Sequence, residues 1–106
     1  MEQLAGDEIA PGDLETVFLT NCGSVANEAA LKIVRKHMQG RRTEVVSTEG
    51  GFHGRTLGAL SVTGTTAKRA PFEPLPGPVT FVPYADVEAL RAVVSEVTAA
   101  VILEPV

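Results

Sequence analysis

Short β-prone runs, most of them apolar, alternate along this chain with segments whose apolar residues recur at helical spacing. The runs, in order, are residues 16–20, 43–48, 80–82 and 99–103. They lack the period-of-two polarity of a strand with one face in water, which favours strands that are covered on both faces. The order strand, helix, strand, helix, strand, helix, strand predicts an α/β fold, with a mostly parallel sheet flanked by helices.

Local patterns set the bounds that we predict for the helices. The first helix is predicted over about 24–39 from its apolar spacing, with Gly40 as the C′ residue. Within it, Glu28 precedes Lys32 by one helical turn, which favours an ion pair between them. A second helix is predicted to start near Thr56. The third is predicted to be capped by Asp86, with an apolar face formed by Val87, Leu90, Val93, Val94 and Val97.

Two further segments fall outside this alternation of strands and helices. Residues 1–15 are predicted to hold the end of a helix and a loop, because proline and glycine follow one another at positions 11 and 12. The proline-rich residues 65–78 are predicted to form a surface excursion.

The composition excludes several classes of protein. A net charge of −4 argues against a nucleic-acid-binding surface. No apolar run approaches the roughly 20 residues that a membrane span needs, and the acidic N-terminus lacks the regions of a signal peptide. The single cysteine cannot form an internal disulfide, which favours a reducing, cytoplasmic setting. The chain stops on an apolar run, AAVILEPV, so we expect it to be cut after a sheet strand.

The start of the first helix is a candidate anion site. The apolar run at 16–20 stops at Asn21, and Cys22, Gly23 and Ser24 follow before the helical pattern begins. A helix N-terminus presents free backbone N–H groups and the positive end of the helix dipole, which together suit a phosphate. The glycine would let the backbone approach closely, and the serine hydroxyl would donate a further hydrogen bond. The alternative is an ordinary strand–helix turn.

A second candidate site follows the run at 43–48. Here Phe52, His53 and Arg55 share a glycine-rich loop, and either ring could stack on a flat cofactor while the guanidinium grips a carboxylate. The alternatives are a core plug for Phe52, a structural hydrogen bond for His53 and a solvated charge for Arg55. Glu104 ends the last run. Because ligands of open α/β sheets lie beyond the carboxyl ends of the strands, these ends mark the predicted site.

Two other residues with reactive side chains are weaker candidates for a functional site. Cys22 could be a nucleophile, but no pattern pairs it with a base, so we expect a buried, inert thiol. His37 falls in the last turn of the first helix and is interpreted as compensating the dipole. No spacing of His, Cys and Asp predicts a metal site, and neither common nucleotide-binding motif is present.

Three ordered blocks, NCGSVANEAALK, FHGRTLGALSVTG and VILEP, resemble the class III aminotransferases. These are pyridoxal 5′-phosphate (PLP) enzymes of fold-type I, and the middle block is similar to that of the acetylornithine and ornithine types. The resemblance implies that residues 1–106 are a partial PLP-binding large domain, truncated after a sheet strand. It implies cofactor-binding roles for Cys22, Gly23, Ser24, Phe52, His53 and Glu104. It implies that Arg55 binds the α-carboxylate of the substrate.

The resemblance also implies an activity for the parent enzyme. That enzyme would transfer an amino group from N-acetylornithine, or a related ω-amino acid, to 2-oxoglutarate, in arginine biosynthesis and as a cytoplasmic homodimer. The family pattern departs at Val25, where a glutamate is usual, and at Cys22, where a small hydroxyl residue is usual.

No catalytic residue is assigned within this chain. Its lysines are Lys32, Lys36 and Lys68, and none matches the Schiff-base lysine of the family. We therefore expect the isolated chain to be inactive. The alternatives are a non-catalytic α/β module that binds phosphate or PLP, and an inactive structural or interaction fragment without a ligand.

Overall fold

A computed structural model describes residues 13–105. The helices are α1 (Gly23–Met38), α2 (Leu57–Ser61), α3 (Thr66–Arg69) and α4 (Val87–Val93), and a short 3-10 turn, Ala70–Phe72, follows α3. The strands are β1 (Glu44–Thr48), β2 (Val79–Val82) and β3 (Thr98–Val101). The loop and helix end predicted for residues 1–15 fall almost entirely outside the described residues.

The three strands form one parallel sheet in the order β2–β1–β3. Val45 stands opposite Val79 on one side and Ala100 on the other. Parallel neighbours need crossover connections; α2 and α3 lie in the first crossover, and α4 forms the second. The predicted α/β class, with its parallel sheet and flanking helices, is confirmed.

The core lies around β1 and α2, because the central strand has a neighbour on both sides. Its buried apolar side chains are Val46, Ala59, Leu60, Val62 and Val82. Burial of the last three residues of β1 explains why that run shows no polar alternation.

Local stop signals end α1 where the sequence predicted. The C-cap is Gln39, with a left-handed φ of 52°, and Gly40 follows at φ 80°. The guanidinium of Arg41 donates to the carbonyl oxygens of Met38 and His37, at 2.9 and 3.2 Å. These bonds satisfy carbonyls that a helix end leaves without partners. The predicted helix and its C′ glycine are confirmed to within one residue.

Two predictions are wrong: one predicted strand does not form, and one predicted helix is shorter than expected. Residues 16–20 form no strand, and the Phe18 side chain is 70% exposed. A strand needs a neighbour to pair with, and the three-stranded sheet of the described residues does not include this segment. The helix capped by Asp86 ends at Val93, so that Val94 and Val97 lie beyond it. The cap itself is confirmed, since the Asp86 carboxylate accepts from the Ala89 N–H at 2.9 Å.

Candidate active site

The ends of β1 and β3 meet at one edge of the sheet. The loop after β1 carries Phe52, and the chain after β3 carries Glu104. The Phe52 backbone N–H donates to Glu104 Oε1 at 2.9 Å. Two of the three polar segments that the sequence singled out are therefore joined by a direct hydrogen bond.

The start of α1 meets the same loop. The Ser24 side chain lies against the Cα of Gly54, where a Cβ atom would overlap the hydroxyl. Gly54 also has a φ of 135°, which side-chain-bearing residues rarely adopt. One turn further along α1, Asn27 Nδ2 donates to the His53 carbonyl oxygen at 2.8 Å. The structure thus brings Gly23 and Ser24 beside the loop that contains Phe52 and Arg55.

Thr63 holds the loop after β1 through hydrogen bonds from the protein interior. Nothing in the sequence pattern distinguished this residue. The side chain is fully buried. Its Oγ1 accepts from the His53 N–H at 3.0 Å and lies 3.0 Å from the Ala59 carbonyl oxygen, to which it donates. A threonine just after a short helix is too common to predict a site, so only the fold identifies it.

The two rings of the loop have different environments. Phe52 is 45% exposed, and the Lys68 ammonium lies 4.7 Å from its ring centroid. His53 is 6% exposed, and its Nε2 has no hydrogen-bond partner within residues 13–105. Burial lowers the pKa of His53 more than the nearby Glu104 carboxylate raises it. Of these two rings, only Phe52 therefore offers a face to a flat ligand, whereas His53 is a buried part of the loop.

Arg55 and Cys22 are exposed at the rim of this region. The Arg55 guanidinium makes no hydrogen bond or ion pair within the described part of the chain, so it is free to bind a carboxylate. The prediction that Cys22 is a buried thiol is wrong. As the N-cap of α1 the residue has extended backbone and is exposed, because it stands where the mostly exposed segment 16–20 turns into the helix. Residues 13–105 contain no cluster of three or more metal-ligating side chains.

The first turn of α1 retains open donors. Ala26 donates its N–H to the Cys22 carbonyl oxygen at 3.1 Å, which begins the helical ladder. The N–H groups of Gly23, Ser24 and Val25 precede that bond, and the Cys22 side chain caps none of them. A Cβ atom on Gly23 would meet nothing within 4 Å, so the space in front of this turn is open. The arrangement can receive an anion from the solvent side.

Comparison with known proteins identifies the family. A model of the family described as aminotransferase class-III matches residues 1–106. The chain belongs to the class III aminotransferases. Among curated members, the acetylornithine aminotransferase of Streptomyces clavuligerus is 59% identical over 90 residues, which are 85% of this chain and 22% of the relative. That of Mycolicibacterium smegmatis is 55% identical over 95 residues, or 90% of this chain and 24% of the relative.

Solved structures of transaminases share the fold. The ornithine aminotransferase from Toxoplasma gondii superposes with a TM-score of 0.84 at 28% identity, over 99% of this chain and 26% of the other. An omega-transaminase from Thermomicrobium roseum gives 0.85 at 30% identity, over 99% of this chain and 29% of the other. The chain spans about a quarter of the length of the class III relatives it matches. Within the described residues, no helix combines the length and hydropathy that crossing a membrane requires.

Proposed function

We propose that this chain is the part of a PLP-dependent class III aminotransferase that holds the cofactor phosphate and binds a substrate carboxylate. The contact between Ser24 and Gly54 carries the proposal, because it puts a helix start with open N–H donors beside a loop with an exposed ring and a free guanidinium. Residues 1–106 would then be a partial PLP-binding large domain.

The residues fit the phosphate end of PLP. The open N–H groups of the first turn of α1 and the Ser24 hydroxyl are the donors, and the absence of a side chain at Gly23 leaves room for close approach. Cys22 would contribute only backbone, because its side chain makes no capping bond. A dianion here also gains from the positive end of the dipole of the sixteen-residue helix.

The residues fit the ring end as well. Phe52 would stack on the pyridine ring, and Glu104 would hold Phe52 through the bond to its backbone N–H. His53 would stabilise the loop from the protein interior, since its own ring is buried. PLP, when bound, supplies an electron sink for amino-group transfer. The proton-transferring lysine would come from a part of the parent enzyme beyond these residues, since Lys68 sits over Phe52 and matches no family lysine.

The substrates are proposed from the relatives. Arg55 would grip the α-carboxylate of the amino donor bidentately. The curated relatives are acetylornithine aminotransferases, which supports N-acetylornithine or a related ω-amino acid as donor and 2-oxoglutarate as acceptor. The proposal includes a role in arginine biosynthesis and a cytoplasmic homodimer without nucleic-acid or membrane partners.

The test uses the protein purified from its source. Its intact mass is measured first, and then amino transfer from N-acetylornithine to 2-oxoglutarate in the presence of PLP. We expect a mass several times 11.1 kDa and turnover whose KM for the donor rises in Arg55→Ala. Arg42→Ala is the matched control, because Arg42 is an exposed arginine at the other edge of the sheet, beside Thr43 and Pro78. An 11.1 kDa protein that binds PLP without turnover would favour the alternative, a non-catalytic phosphate-binding module.

A further inference from the structure

Two consecutive residues of α1 hold the chain on both sides of Arg55. Upstream, Asn27 Nδ2 donates to the His53 carbonyl oxygen at 2.8 Å. Downstream, Glu28 Oε2 accepts from Thr56 Oγ1 at 2.5 Å and from the Ala59 N–H at 2.8 Å. Arg55 lies between these attachments, and its own side chain contributes to neither.

Glu28 performs the capping that α2 lacks. Thr56 is the N-cap of α2, but its side chain makes no capping bond. The Glu28 carboxylate takes its place from a different helix, at the end of α2 where negative charge is favoured. A Cβ atom on Gly58 would overlap that carboxylate, so the two helices touch there. The ion pair predicted between Glu28 and Lys32 does not form, because this tertiary contact takes the carboxylate instead.

The carboxylate is held in its ionised form. Burial alone would raise the pKa of Glu28, but hydrogen bonds from Thr56 and from the N–H groups of Ala59 and Gly58 outweigh that effect and lower the pKa overall. Hydrogen bonds to a charged acceptor are stronger than neutral ones. The downstream attachment is therefore the firmer of the two.

We propose that Asn27 and Glu28 are positioning residues that present Arg55 to the substrate carboxylate. This proposal rests on the proposed function, and it adds two residues to which the site assignment gave no role. A long guanidinium side chain with no partner of its own binds a carboxylate well only if its backbone is already placed. Asn27 and Glu28 supply that placement, and they lie one turn after Gly23 and Ser24. The helix that starts the phosphate site thus also sets the substrate site.

The experiment measures amide hydrogen exchange in the loop and the kinetics of amino transfer. It uses the protein at the length at which it is isolated from its source, and variants of that protein. The variants are Glu28→Ala, Glu28→Gln and Asn27→Ala, with Glu88→Gln as the matched control. Glu88 is an exposed helix glutamate whose Oε1 lies 3.8 Å from Arg91, remote from the loop in sequence. Glu28→Gln keeps one acceptor oxygen and tests the site even if Glu28→Ala fails to fold.

The expected result separates positioning from general stability. In Glu28→Ala we expect faster amide hydrogen exchange over residues 53–62 and a donor KM raised about tenfold, with kcat and PLP affinity changed by less than threefold. Glu28→Gln and Asn27→Ala should show smaller increases, and Glu88→Gln none. An unchanged donor KM in Glu28→Ala would overturn the positioning role. So would a lower kcat, a raised KM and weaker PLP binding that appear together, because these indicate a general loss of structure.

Arg55→Ala distinguishes the two proposals. If Arg55→Ala raises the donor KM while Glu28→Ala does not, only the positioning role is wrong, and the proposed function stands. If Arg55→Ala leaves the donor KM unchanged, the carboxylate assignment fails and the positioning role fails with it. A raised KM in both, without additivity in the double variant, supports the positioning role, because the two changes then act on one interaction.

Discussion

The Ser24 hydroxyl of α1 lies against the Cα of Gly54, a residue of the loop that follows β1. The contact leaves no room for a Cβ atom at residue 54. It therefore couples the conformation of the helix start to that of the loop, and both halves of the proposed site depend on one glycine.

Gly54→Ala should disrupt this junction. The substitution combines a steric overlap with Ser24 and a φ of 135°, and we expect a loss of unfolding free energy of about 2 kcal/mol or more. Urea denaturation measures it. Gly50→Ala is the matched control, because its φ of 78° is also left-handed but its Cβ would meet nothing within 4 Å. It should lose only about 1 kcal/mol. Equal losses in the two variants would mean that the overlaps with Ser24 and Ala59 are unimportant.

Gly23→Ala should weaken PLP binding without lowering the thermal stability of the protein. A Cβ atom at residue 23 would meet no protein atom within 4 Å, and the residue is in helical conformation. We therefore expect unchanged or slightly higher thermal stability, since alanine favours helix over glycine by about 1 kcal/mol. We expect weaker PLP binding, because the added methyl group faces the space assigned to the phosphate. Titration with PLP, followed by absorbance, measures the affinity. Unchanged affinity would place the phosphate elsewhere.

The sequence predicted what depends on local physics. The bounds of α1 follow from apolar spacing and a left-handed stop at Gln39 and Gly40. The Asp86 cap follows from one side chain reaching a nearby N–H, that of Ala89. β1 was predicted because its β-branched residues favour a strand wherever neighbours are available.

What the sequence missed depends on contacts between distant residues. The contiguous apolar run at 16–20 indicated burial, yet a strand there needs a partner that the described sheet does not offer. Glu28 had a plausible local partner in Lys32, but its carboxylate bonds to Thr56 and Ala59 instead. The residues proposed for the site were nevertheless all chosen from strand ends and a helix start, because a parallel sheet brings those ends to one edge. Their roles in binding stay predictions.

Cys22→Ser should stabilise the start of α1. The cysteine has the extended backbone of an N-cap, φ −165° and ψ 167°, but makes no side-chain capping bond. A serine hydroxyl accepts from first-turn N–H groups better than a thiol, so we expect a gain of about 0.5–1 kcal/mol. Urea denaturation without PLP or phosphate measures it. Cys22→Ala removes the thiol without adding an acceptor and should bring no gain, and a similar gain in both variants would argue against capping.

His53 should make the free energy of unfolding depend on pH once the pH falls to its ordinary pKa of 6.5 and below. Burial sets its pKa in the folded protein below the ordinary value of 6.5, so the unfolded chain binds a proton at higher pH than the folded one. Unfolding free energy should therefore fall as pH drops below about 6.5, and the decline should level off once the pH passes below the folded-state pKa. Urea denaturation of wild type and His53→Gln at several pH values in this range tests the sign. The glutamine variant cannot titrate, so its stability should vary less over the same interval. A parallel decline in both proteins would assign the pH dependence to groups other than His53.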